Sequence, residues 1–274
     1  MLYKNSLGLI AICCILFCCG KKKKEEEPAP IVTETPDGNG GSIKPVAKGL
    51  ATIHLHTFVS EDELVGYEDN VFLGERRISM SLGLVFLSGL ELVNMDGTIF
   101  KMSDTVILKN QDNMSYEISN VPVGKYKSLR FKIGLDSASR LKSPLSSLGG
   151  VLNNPEMWFE SSPKPQSYVF AHFKGMMDTA AVPKSSNVRV PYEFKIGTDS
   201  NYVQVQLPVR IPGTEFNITE KTKEVFHMYM DLDILLKDVN FHDTNGLSVL
   251  TKEDNNSASA RKLAKNIAKM FRYE

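Results

Sequence analysis

From Leu129 the chain reads Leu-Arg-Phe-Lys-Ile-Gly-Leu-Asp, so Leu129, Phe131, Ile133 and Leu135 alternate with Arg130, Lys132, Gly134 and Asp136. A period of two over eight residues belongs to a strand with one buried face, because a helix would scatter these apolar side chains around its axis. Just upstream, Val121-Pro122-Val123-Gly124 carries turn chemistry: Pro fixes φ and Gly tolerates positive φ. Met114 to Asn120 alternates more weakly, and the two segments read as a hairpin at the centre of a β domain.

The same period recurs along the chain. Ala51 to Val59 reads as a strand with Ile53, Leu55 and Thr57 on one face and His54, His56 and Phe58 on the other. Ile78 to Val93 is either two short strands or one long bent one, with Gly83 or Gly89 marking a bulge. Asp96-Gly97 is a hairpin signal, and Ile99 to Leu108 returns as a strand. Ser139 to Phe159 reads as a long loop with one helical turn. Strands follow over Tyr168 to Lys174, Val188 to Ile196 and Tyr202 to Val209. Phe226 to Ile234 closes the series, with His227, Tyr229, Asp231 and Asp233 opposite the apolar face. Ser257 to Tyr273 reads as a helix: Leu263, Ile267, Met270 and Phe271 fall at i, i+4, i+7 and i+8, and Ser257 or Ser259 can cap it. Eight or more short strands at about ten-residue spacing with one terminal helix predict an all-β fold. The expected form is an antiparallel β-sandwich of Ig-like or Greek-key type carrying a C-terminal α-helix over 257–273.

The N-terminus reads as an address. Lys4 precedes an eleven-residue apolar run, Leu7 to Phe17, too short to span a bilayer and built like a secretory signal. The run ends on cysteine and resembles a bacterial lipobox, with Leu16 at −3 and Cys18 at −1 of Cys19, the expected lipidation site. An ordinary signal or an N-terminal anchor helix is the alternative. Residues 1–19 are thus expected to be a lipoprotein signal peptide. Residues 20–46, with Lys21 to Lys24, Glu25 to Glu27 and a Pro, Thr and Gly-rich stretch, are expected to be a disordered tether. The β domain is expected over 47–274, and the location at the outer membrane, facing the periplasm or the cell surface.

Composition removes several chemistries. Basic and acidic residues balance at 32 each, which argues against a nucleic-acid partner. All four cysteines (Cys13, Cys14, Cys18, Cys19) precede residue 20, so the β domain has neither disulfide nor thiolate site, and a soft metal would have to use His or Met. No phosphate loop, Gly-x-Ser-x-Gly elbow or His-Glu-x-x-His is present. Asp231 and Asp233 share a strand face and could bind a hard cation or do acid–base work, or they are the solvent face of an edge strand. Trp158, Phe159, Tyr168 and Phe170 form either a ligand wall, with Trp158 and Tyr168 at its centre, or core. The sharper signal is His54-x-His56: alternation puts both imidazoles on one side of one strand, near enough to share a metal. His172, on another strand, could complete that site, or it is a packed residue and the pair is ordinary surface. His227 and His242 are weaker candidates.

The order of these motifs resembles the MbnP-like family of copper-binding lipoproteins, common in Bacteroidetes. The matching pieces are the first strand with His56, then Phe86-Leu87-Ser88-Gly89-Leu90-Glu91-Leu92 and Asp96-Gly97. After them come Val121-Pro122-Val123-Gly124-Lys125-Tyr126 and Phe131-Lys132-Ile133-Gly134-Leu135-Asp136. Met157-Trp158, Tyr168-Val169-Phe170, Met230-Asp231-Leu232-Asp233 and the closing helix around Asn266 and Phe271 complete the set. Where the family commonly reads Phe-x-His-x-Gly, this chain has Phe194-Lys195-Ile196-Gly197, so a family ligand position holds Lys195. The resemblance implies a non-enzymatic, membrane-anchored protein that binds copper through His54, His56 and His172 for uptake or delivery. It also implies a dihaem peroxidase as partner, for which Trp158 is the sole candidate tryptophan. The competing expectation is a metal-free surface lipoprotein that binds a protein or glycan.

Overall fold

The structure is a computed structural model and describes residues 46–64, 66, 68–72, 76–110, 112–135, 150–159, 168–240 and 244–274. The chain divides into Met1–Pro45 and Val46–Glu274, and all of the described residues lie in the second unit. The expectations for Cys19, the tether, residues 136–149 and His242 fall outside the described residues.

In chain order the strands are β1 (Lys48–Val59), β2 (Asp62–Glu63), β3 (Asn70–Phe72), β4 (Arg76–Asn94), β5 (Ile99–Lys109), β6 (Ser115–Pro122) and β7 (Gly124–Ile133). They continue with β8 (Val169–Met177), β9 (Val190–Gly197), β10 (Val203–Gln206), β11 (Phe216–Ile218), β12 (Glu224–Asp231), β13 (Ser248–Val249) and β14 (Phe271–Tyr273). Two α-helices, α1 (Leu232–Leu235) and α2 (Ala258–Ile267), complete the described residues. One sheet runs β14-β12-β1-β2 with β6 also on β1, and the other runs β10-β7-β4-β8-β9-β13 with β11, β3 and β5 attached.

The two sheets close on one core. Ile53, Leu55, Phe226, Met228 and Met230 from the first meet Leu129, Phe131 and Ile133 from the second, all essentially inaccessible to solvent. Phe131 meets Phe271 edge-on at 5.1 Å, and Phe216 packs on Phe226 at 4.3 Å, so aromatic contacts cross from sheet to sheet. The all-β sandwich with a helix near its C-terminal end stands as expected. Most pairings are antiparallel, while β1 lies parallel to β12 and β13 parallel to β9.

Three local expectations are corrected. Met114–Leu135 is not a hairpin: β6 pairs with β1 in the first sheet, whereas β7 pairs with β4, β10 and β11 in the second. Pro122-Val123-Gly124 is the corner between sheets, and the Tyr126 hydroxyl donates to the Pro122 carbonyl at 2.8 Å to hold it. The turn signal was right, but period and turn residues do not say which partner each strand takes. The C-terminal helix ends at Ile267 and the chain returns as β14, because Phe271 has a backbone ladder to join at Met230. The expected strand to Ile234 stops at Asp231, whose carboxylate accepts from the backbone N–H groups of Asp233 and Ile234 and starts α1.

Other signals hold. Residues 76–94 form one long strand whose pairing shifts at Ser88/Leu90, where Gly89 takes φ +53°. Asp96-Gly97 closes β4 onto β5, with Gly97 N–H donating to the Asn94 carbonyl at 3.0 Å. Ser257 caps α2 by accepting from the Ala260 N–H at 3.1 Å. In the described part of the long loop, Pro155–Met157 makes the single helical turn.

Candidate metal centre

Alternation along β1 buries Ile53, Leu55 and Thr57 and leaves His54, His56 and Phe58 half-buried on the opposite face. The two imidazoles sit edge to face with ring centroids 4.5 Å apart. Each has its Nδ1 occupied. His54 Nδ1 lies 2.8 Å from the Ser115 hydroxyl on β6, and His56 Nδ1 lies 2.7 Å from the Glu63 carboxylate on β2. A carboxylate can only accept, so Nδ1 of His56 carries the proton and, in the neutral ring, the lone pair is on Nε2. Burial and the neighbouring His56 and His227 hold the basicity of His54 below its usual value, against the weaker pull of Glu274 and Glu63.

A third imidazole joins this face from β12. Parallel pairing places His54 opposite His227 and His56 opposite Tyr229. The His54 and His227 rings are 5.5 Å apart, and His227 Nδ1 lies 3.4 Å from a Glu274 carboxylate oxygen. Phe58 and Tyr229 extend the row of rings at 5.3 Å, with the Arg272 guanidinium over Tyr229. As the side chains stand, no group of three or more His, Cys, Asp or Glu among the described residues converges as a metal cluster.

His172 is not part of this face. It lies on β8 in the other sheet, fully buried, with Nδ1–H donating to the Glu156 carbonyl at 2.8 Å and Nε2 3.0 Å from the Glu193 carboxylate. Burial pushes its basicity down, partly offset by the Glu193 hydrogen bond. Both ring nitrogens face oxygens of residues outside the β1 face, so His172 is a packed core histidine and the set His54–His56–His172 is not brought together. Lys195 pairs with His172 across β8 and β9.

Trp158 and Tyr168 do meet, bridging through their backbones, yet Tyr168 is buried and its ring packs edge-on against Phe86 at 6.2 Å. They cover β8 instead of lining an open wall, and the Trp158 indole N–H is buried without a hydrogen-bond partner. Asp231 is held by its helix cap and by an ion pair to Arg272, which accounts for it structurally. The alternation of β12 sets His227 on this face, and the parallel pairing with β1, which no local pattern reveals, sets it beside His54.

The sequence profile of the MbnP family matches residues 48–253. No curated protein matches the chain. Among solved structures, MbnP from Methylosinus trichosporium superposes with a TM-score of 0.55 at 13% identity, covering 80% of this chain and 88% of that one, a likeness of fold. With three quarters of its length inside the profile, the chain belongs to the MbnP family.

Proposed function

We propose that this chain is a lipid-anchored, non-enzymatic protein of the outer membrane that binds copper through His54 and His56 for uptake or delivery. One observation carries the reading: two imidazoles on one strand face, 4.5 Å apart, each with Nδ1 beside a neighbouring oxygen, the Glu63 carboxylate leaving the lone pair of a neutral His56 on Nε2. The donor chemistry fits copper, since imidazole is the strongest borderline ligand in a domain without cysteine. Ser115 and Glu63 orient the rings as outer-shell partners do in metal sites. Bound copper would supply a redox-active, nitrogen-preferring centre; the protein holds the rings in place and leaves the ion open to exchange. Cys19 is the proposed site of the lipid, with the domain facing the periplasm or the cell surface. A dihaem peroxidase acting on Trp158 is the proposed partner, and the indole's partly buried position beside Tyr168 is what such an enzyme would have to reach.

A second reading, a metal-free module binding a protein or glycan, is favoured by Lys195 at the family's histidine position. Competition titration with Cu(I) against a chromogenic chelator separates the two. Submicromolar binding that disappears in His54→Ala/His56→Ala supports copper. Absence of binding, or binding untouched by the double substitution, supports the metal-free module.

A further inference from the structure

We infer that His227 is the third ligand of the β1 site, so that copper is held by three imidazoles drawn from two parallel strands. This deepens the copper reading of His54 and His56 and rests on it. Three observations point the same way. Parallel pairing of β1 with β12 sets His54 and His227 at matching positions, and in parallel strands residues at matching positions project from the same face. His54 is therefore central, with ring centroids 4.5 Å from His56 and 5.5 Å from His227.

Each ring also has an oxygen beside Nδ1: Ser115 at 2.8 Å for His54, Glu63 at 2.7 Å for His56 and Glu274 at 3.4 Å for His227. The three oxygens come from β6, β2 and the end of β14, on both flanks of the ring row. Oxygens beside Nδ1 are the kind of outer shell that orients metal-binding imidazoles, and for His56 the carboxylate also fixes the tautomer. Finally, His227 is the most exposed of the three, with 55% of its side chain accessible, and its contact to Glu274 is the longest. The three rings do not converge as they stand, so ligation requires a change of rotamer at this exposed ring. His172, enclosed on the other sheet, takes no part.

The chemistry this set would take is a borderline metal ion that prefers neutral nitrogen donors, with an open position facing solvent for an incoming or departing ligand. Glu63 and Glu274 would act as positioning residues. Bringing charge to the ion through the rings, they would favour a divalent over a monovalent ion.

Cu(II) is the probe, bound to the whole domain at neutral pH and read by affinity and by the nitrogen couplings of its electron paramagnetic resonance spectrum. The expected result is three imidazole nitrogens in the wild type, two in His227→Gln with affinity lower by at least about tenfold, and three again in His172→Gln. Unchanged coupling and affinity in His227→Gln, with binding still abolished by His54→Ala/His56→Ala, overturns the third-ligand assignment and leaves the copper reading standing. Binding unaffected by the double substitution overturns both. His227 is exposed, so its replacement leaves the core intact; matching circular dichroism melts of wild type and His227→Gln verify this.

Discussion

Nδ1 of His56 lies 2.7 Å from the carboxylate of Glu63, across the β1–β2 ladder that pairs Phe58 with Glu63. The pair joins a candidate ligand to the group that fixes its tautomer. Glu63→Gln keeps the shape and removes the charge. Copper affinity is expected to fall about 10- to 100-fold, while the melting temperature moves little, because about half of the Glu63 side chain is open to solvent. Chelator competition and a thermal melt on the same sample check both halves.

His172 is expected to behave in the opposite way. Replacing this buried ring by Ala removes the hydrogen bond to the Glu156 carbonyl and leaves a cavity, at a cost of about 2–5 kcal/mol, with copper affinity unchanged. The pH dependence has a defined sign. Its folded-state basicity lies below the ordinary 6.5, so the unfolded chain binds the proton more readily and stability falls as pH drops through 6.5. Urea unfolding at pH 7.5 and 5.5 is expected to show this fall in the wild type and a smaller one in His172→Gln.

Lys109 offers a test at the other end of the pH scale. Its ammonium is buried at the end of β5 and donates to the carbonyls of Asn110 and Asn113, and burial pushes it down from 10.5 to about 8. Between those values the unfolded chain holds more protons than the folded one, so stability is expected to rise with pH by about 2 kcal/mol between pH 8 and 10. Lys109→Met removes the titrating group and should flatten that rise. Measurements stop at pH 10, where tyrosines such as Tyr116, pushed up to about 12, begin to act with the opposite sign.

The residue that follows β7 sits where a side chain is poorly tolerated. Gly134 takes φ +110°, and a Cβ there would stand 2.6 Å from the Phe170 ring. Gly134→Ala is expected to cost about 2–4 kcal/mol, measured by chemical denaturation. A change of less than about 1 kcal/mol would mean that the Phe170 ring gives way.

Much of the fold was legible because it is written in short-range period. The faces of β1, β7 and β12, the Asp96-Gly97 turn, the bulge at Gly89 and the Ser257 cap are each decided by residues a few positions apart. Pairing is decided by residues far apart, and this is where reading failed. Nothing in Met114–Ser137 says that β6 and β7 belong to different sheets, and nothing local to Phe271 prefers a strand to one more helical turn. The site followed the same rule. His54 and His56 were visible together because they share a strand. The place of His172 depends on Glu156 and Glu193, 16 and 21 residues away, and the place of His227 beside His54 depends on the parallel β1–β12 pairing, so neither can be read locally.

The most direct test of the central claim is to ask the imidazoles themselves. Long-range nitrogen–proton correlation spectra of the histidine rings, recorded while Cu(I) is added anaerobically, identify each ring nitrogen that gains a metal. The account predicts large shifts at Nε2 of His54 and His56, with His172 unmoved. Shifts confined to His172, or none at the β1 pair when copper is bound, would contradict it.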